Sequence, residues 1–193
     1  MFNSYRAVLN LPESKWEEFQ CYYNRLEVPA RTILLQEGEI SKRAYLIEKG
    51  CVRVWFNNDG MDTTFQFFFE NESVSSVESF RRQIPSPVTV ETVEPCVLHW
   101  IHKDDLDQVF GDIYSDPANS AALSEMLFER QLHYMKHCIS FIKHSPADRY
   151  VQLLRESPHI IQRVPQHYIA SYLGITPVSL SRIRKKLMRE GKI

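Results

Sequence analysis

The sequence predicts an α+β fold with a β-rich first half, one long helix and a helical end. Three observations carry this. Between Pro29 and about Ile101, short apolar runs recur with turn signals between them. From 117 to 143 no Gly or Pro follows Pro117, and apolar residues return every three or four positions. Finally, Ile169–Thr176 reads as a helix end, a Gly turn and the cap of a new helix.

The elements follow in chain order. Residues 13–26 place Trp16, Phe19, Tyr23 and Leu26 at helical spacing, with acids in the first turn. The strand runs after Pro29 are TILLQ, AYLIEKG, CVRVWFNN, TTFQFFF, VTVETV and CVLHWI. Alternation in Val52, Val54 and Phe56, and in Phe65, Phe67 and Phe69, predicts one buried and one open face. Asn58-Asp59-Gly60 marks a tight turn between two of these runs. Regular short strands of this kind indicate a closed or two-sheet β structure.

Helical character is expected to return after Gly111, and Asp116-Pro117 has the form of a helix start. A helix over 117–143 would span roughly 40 Å, more than one small domain needs. One stripe packed on the β unit and another on a second copy is its simplest use. Ser145-Pro146 starts a helix over 147–156, a linker contains Ser157-Pro158, and two more helices cover 165–173 and 177–190. The expected units are 1–115, a β unit with its N-terminal helix; 116–144, the long helix; and 145–193, the helical end.

Composition excludes several classes. The 193 residues are 44% hydrophobic and 24% charged, which supports packed cores rather than disorder or a fibrous repeat. No apolar run nears the roughly 20 residues of a membrane helix; Phe65–Phe69 is broken by Gln66 and stops at Glu70. The N-terminal residues lack a signal-peptide pattern, so a soluble, cytoplasmic protein without a membrane partner is expected. Cys21, Cys51, Cys96 and Cys138 form no C-x-x-C pair and read as separate small hydrophobes. His99 and His102 are the one close His pair on the strands, too few for a metal-dependent β-barrel enzyme. No catalytic or metal site is therefore expected.

Charge is distributed unevenly. From Ser145 onward nine Lys and Arg face three Asp and Glu, a net of +6, against −1 for the whole chain. A basic end on an acidic body fits contact with a polyanion, and also fits a solvated helix face. The motif at 169–176 favours the first. Ala170 lets two helices cross closely, Gly174 makes the turn, and Leu180 seals the crossing, as a helix-turn-helix requires. Thr176 caps the second helix and Pro177 suits its first position. On that helix Leu180, Ile183 and Leu187 share one side, while Val178, Ser181, Arg182, Lys185 and Arg189 form a face without a carboxylate.

The segment YIASYLGITPVSLSRIRKKL, residues 168–187, closely resembles the helix-turn-helix of the Crp/Fnr (catabolite activator-like) transcription regulators. Gly38, Gly50 and Gly60 fall where the family's β-roll has turns, and the resemblance covers nearly the whole chain. It implies an N-terminal cyclic-nucleotide-binding-type β-roll (a jelly roll), a long dimerisation helix at 117–143 and a C-terminal helix-turn-helix. It also implies a non-enzymatic, sequence-specific regulator that binds double-stranded DNA as a homodimer on a palindrome. RNA polymerase would be a further partner. Arg182 would read guanine; Val178, where relatives often have Glu, would meet a thymine methyl. Gln166, His167, Thr176 and Ser179 would bind phosphates, and Ser181, Arg184, Lys185 and Arg189 would add contacts.

Two departures shape the expectations. Relatives that bind cyclic nucleotides carry a Gly-Glu and, before a strand, an Arg-Ser; here Glu78 stands without the Gly, and Ser86-Pro87 occupies the Arg-Ser place. Cyclic AMP is thus not expected as effector. A less charged, unidentified small molecule would meet Phe67, Phe69, Glu78, Ser79, Phe80, Arg81, Arg82, Ser86 and Pro87, with helix residues near Leu132–Met135. The second departure is that the chain ends at Ile193, where most relatives continue into a β wing. The alternative is a ligand-sensing or protein-interaction β-roll whose DNA function has lapsed.

Overall fold

The computed structural model describes residues 2–193. Helices α1 (Asn3–Arg6) and α2 (Glu13–Cys21) precede the strands β1 (Asn24–Val28), β2 (Ile33–Leu35), β3 (Arg43–Lys49), β4 (Val52–Asn58) and β5 (Met61–Phe68). After β6 (Ser73–Val74) comes α3 (Val77–Arg82), then β7 (Thr89–Thr92) and β8 (Cys96–His102). The rest is helical: α4 (Lys103–Ser115), α5 (Pro117–Lys143), α6 (Pro146–Glu156), α7 (Pro158–Arg163), α8 (Gln166–Tyr172) and α9 (Pro177–Arg189).

The strands form two four-stranded antiparallel sheets, ordered β1-β8-β3-β6 and β2-β7-β4-β5. Their facing surfaces enclose one core, in which Ile47, Val52, Val90 and Leu98 are almost wholly buried. The β4–β5 hairpin turns on Asp59 and Gly60, both at positive φ (51° and 86°), the two-residue turn that matches strand twist. Gly60 N donates to Asn57 Oδ1 at 2.7 Å.

Both outer faces are covered, which corrects the expectation of an open face. Ala44, Leu46 and Ile101 on the first sheet pack under α2, α4 and the start of α5. On the second sheet, Phe67 and Phe69 join the core of the C-terminal helices. A bulge between Val54 and Trp55 breaks the simple alternation, and Phe56 is only half-buried.

Other expectations change at element ends. The first large helix stops at Cys21, and Leu26 lies in β1, where its partner is Leu98 on β8. The helical spacing that includes Leu26 yields to strand pairing from Asn24 onward, where Leu26 joins the core between the sheets. Helix α4 starts at Lys103, eight residues before Gly111; Val109 and Ile113 are its buried contacts. The segment at Ser157-Pro158 begins α7, with Pro at its first turn, rather than forming a linker. Cys51 and Cys96 are buried, but Cys21 and Cys138 are exposed, since both fall on outward faces of helices.

Helix α5 spans 117–143 as its pattern predicts. Asp116 Oδ1 accepts from Ala118 N at 2.8 Å and Asn119 N at 3.0 Å. Leu123 anchors its first half to the β unit. Beyond it, Phe128, Leu132, Met135, Ile139 and Ile142 repeat at heptad spacing. Phe128, Met135, Ile139 and Ile142 are exposed, Ile142 at 86%.

Candidate nucleic-acid interface

Helices α8 and α9 cross over small and aliphatic residues. Ala170 is fully buried, Leu180 is buried at its contact, and Leu187 closes the far end. Shortening Leu180 to Ala would remove about 2–5 kcal/mol of packing. Gly174 has φ +66°, which favours glycine, and a Cβ there would meet Phe141 Cε1 at 2.9 Å and push that ring aside. The turn is a Schellman motif. Ile175 N donates to Ala170 O at 3.0 Å and Gly174 N to Ser171 O at 2.9 Å. Arg149 fastens this turn from α6, donating from Nη2 to Leu173 O at 2.7 Å.

Thr176 caps α9, its Oγ1 accepting from Ser179 N at 3.2 Å. That geometry turns Val178, Ser181, Arg182, Lys185 and Arg189 to the outside, with Val178 60% exposed. Glu190, the carboxylate nearest this helix, is engaged by Lys192 at 2.8 Å and Lys186 at 3.9 Å. Those lysines hold its carboxyl below the usual range. Arg182, Lys185 and Arg189 have no carboxylate partner among the described residues. Gln166 and His167 are exposed at the start of α8, whereas Ser179 and Arg184 are half-buried and Arg184 Nε is buried without a partner. Burial, then Arg53 and Arg31, lowers the His167 pKa.

The helix-turn-helix is bolted to the β-roll by Ser171 of the motif and by Arg163 and Arg53, which carried no motif in the sequence. Ser171 Oγ receives a hydrogen bond from Thr64 N at 2.8 Å and donates to Asp62 O at 2.6 Å. Arg163 donates to both oxygens of Glu70, at 2.7 and 2.8 Å, and also binds Glu94. The Arg163 bonds, followed by one from Gly50 N, outweigh desolvation and hold the Glu70 carboxyl down at about 2. Arg53 is 2% exposed, pairs with Glu91 at 2.7 Å and covers the Tyr168 ring. The available signal was an Arg between Val52 and Val54, facing away from the roll interior, but its partners are remote in sequence.

The expected effector residues divide: Phe80, Arg81 and Tyr134 line one cavity between the roll and α5, and the others lie elsewhere. Phe67 and Phe69 face α7 and α8, because alternation from the inward Phe68 turns them outward. Phe67 lies 5.2 Å from the Tyr172 ring. Glu78 is exposed and pairs with Arg82 at 2.9 Å. Ser79 is buried, accepting from Ser41 N and donating to Ile84 O. Ser86 Oγ donates to Ser76 Oγ at 2.8 Å, Pro87 is exposed, and Arg81 is exposed at the edge of the cavity that Phe80 and Tyr134 line. Of the helix residues, Tyr134 is half-buried and Met135 points outward. Ser86-Pro87 supplies no cation for a cyclic phosphate, and Tyr45, Phe68 and Val74 fill the roll interior. These residues do not fit a cyclic nucleotide held through its phosphate.

His99 is bonded to Glu48, and His102 stands edge-on to Trp100; among the described residues no His, Cys, Asp and Glu group has the makings of a metal site. No helix among the described residues is long and apolar enough to cross a membrane.

Residues 25–112 match the cyclic nucleotide-binding domain family, spanning β1 to most of α4. With its long helix and helix-turn-helix, the chain has the architecture of the Crp/Fnr-type regulators. It is similar to the c-di-GMP-responsive global regulator CLP of Xanthomonas campestris, at 22% identity, TM-score 0.73 and 93% coverage of each chain. FixK2 of Bradyrhizobium japonicum matches at 16% identity and TM-score 0.72, over 88% of this chain and 86% of that one. A transcriptional regulator of the Crp/Fnr family from Eubacterium rectale matches at 19% identity and TM-score 0.68, over 94% and 85%. Among curated proteins no sequence match is found.

Proposed function

We propose that the chain is a homodimeric, sequence-specific DNA-binding regulator rather than an enzyme, reading the major groove with α9. The observation that carries this is the outer face of α9, where Arg182, Lys185 and Arg189 stand exposed on a capped helix without a carboxylate between them. Arg182 reads guanine through the paired acceptors O6 and N7, and Val178 meets a thymine methyl. Gln166, His167, Thr176 and Ser179 bind phosphates, with Ser181, Arg184, Lys185 and Arg189 adding backbone or groove contacts. The apolar heptad seam of α5 joins two copies. Two recognition helices related by a twofold axis then face half-sites about one turn of DNA, roughly 34 Å, apart.

The effector of this reading is not cyclic AMP, since its phosphate would meet Ser86 and Pro87 in place of a guanidinium. Mapping the DNA bound by the protein across the genome in cells tests the proposal. An enriched palindrome is expected. Enrichment without any recurrent sequence, or none, would favour a β-roll module that no longer acts on DNA.

A further inference from the structure

A cavity of about 350 Å³ lies between the first sheet and the helices α1 to α5. Its wall also takes in Tyr45, Phe68 and Val74 from the roll interior. Its sheet wall includes Ala44, Leu46 and Ile101, which project from the face opposite to Ile47 and Leu98. Protein interiors leave few voids larger than a water molecule, and this volume falls within the range of small-molecule pockets. The lining is mostly aliphatic and aromatic, with Trp16, Phe80 and Phe110 among its walls.

Its polarity is confined to a few groups. Arg81 and Arg130 reach it, and neither has a carboxylate partner among the described residues; Arg130 Nη1 donates only to Ser73 O, at 3.3 Å. The Tyr5 hydroxyl is already bonded to Ser73 Oγ at 2.6 Å. An apolar chamber with two unneutralised guanidinium groups selects a molecule that is hydrophobic along its length and anionic at one end.

We propose that this cavity binds an apolar monocarboxylate the size of a medium-chain fatty acid. Its chain lies among the aromatic walls and its carboxylate meets Arg81 and Arg130. Leu123, Met126 and Arg130 place the ligand directly against α5. The proposal does not depend on DNA binding, because none of its residues belongs to α8 or α9.

The test is calorimetric titration of the full chain with sodium decanoate and with decanol, followed in parallel by the fluorescence of Trp16, which is buried on the cavity wall. One saturable decanoate site per chain is expected, with Kd on the order of 10 µM. The double variant Arg81→Gln/Arg130→Gln should weaken decanoate about tenfold or more and leave decanol unchanged. Leu123→Trp should fill the cavity and abolish both. No saturable decanoate binding, equal binding by the double variant, or wild-type affinity in folded Leu123→Trp would each overturn the proposal. Should Leu123→Trp fail to fold, the double variant decides, because Arg81 is exposed and Arg130 half-buried.

Discussion

The guanidinium of Arg53 lies 3.8 Å from the centre of the Tyr168 ring, so that a β4 side chain forms part of the seat of α8. The same group is held by Glu91 and Asp62 in the β sheet. A buried cation is tolerated there because its charge is met on one side by carboxylates and on the other by an aromatic face.

Replacing Arg53 by Met leaves Glu91 buried without its partner. The expected loss is about 3–5 kcal/mol in urea unfolding, and Arg53→Met/Glu91→Met should recover most of it. Equal losses in both variants would show that packing on Tyr168, rather than the charge pair, holds the helix.

The seam on α5 makes a second prediction. Met135→Glu/Ile142→Glu places charges at exposed apolar positions, so the monomer fold should survive. Sedimentation should show dimers for the wild type and monomers for the variant, and affinity for a palindrome should fall by about a hundredfold or more through loss of the second half-site. A dimer of unchanged strength would move the interface elsewhere.

His137 joins α5 to α8, stacking on Tyr172 at 4.4 Å and meeting Phe141 edge-on. Burial first, then His133 and Arg149, lowers its pKa to about 4. The unfolded chain therefore takes up a proton before the folded one does. Stability from this group is complete above about pH 6.5 and is lost as pH falls toward 4. After allowance for partial exposure the loss is about 1–2 kcal/mol. Thermal melts between pH 7 and 4.5 should show it, and His137→Phe should flatten that part of the profile.

In calorimetric titration, cyclic AMP and cyclic GMP should bind no more tightly than about 10–100 µM. Losing one charge-assisted bidentate contact removes about 1.5–3 kcal/mol, which weakens a micromolar ligand by roughly one to two decades. A micromolar Kd for either nucleotide would contradict this and turn attention to Arg81 or Arg82.

The parts of the fold set by local rules were legible in the sequence. Helix α5 was readable from its period and from Asp116-Pro117, and the turn at Gly174 from capping and glycine. The Asp59-Gly60 hairpin was readable for the same kind of reason. Helices α4 and α7 were obscured by an internal Gly and by Ser157-Pro158, which also begin or interrupt helices in ways that only packing resolves. Candidate DNA contacts on α9 followed from the helix wheel and from the Thr176 cap. Where Phe67 and Phe69 point was not legible, because which core they and Phe68 join depends on a domain 100 residues away in the chain. The Arg53 and Arg163 clusters share that cause.

The most direct measurement is the base preference of wild type and Arg182→Ala on a recovered palindrome, with every single-base variant of one half-site titrated at fixed salt. Arg182→Ala should cost about 1–3 kcal/mol on the preferred sequence and erase discrimination at one G·C pair, leaving the other positions intact. A uniform loss across all variants would make Arg182 a phosphate contact and contradict major-groove reading through this side chain.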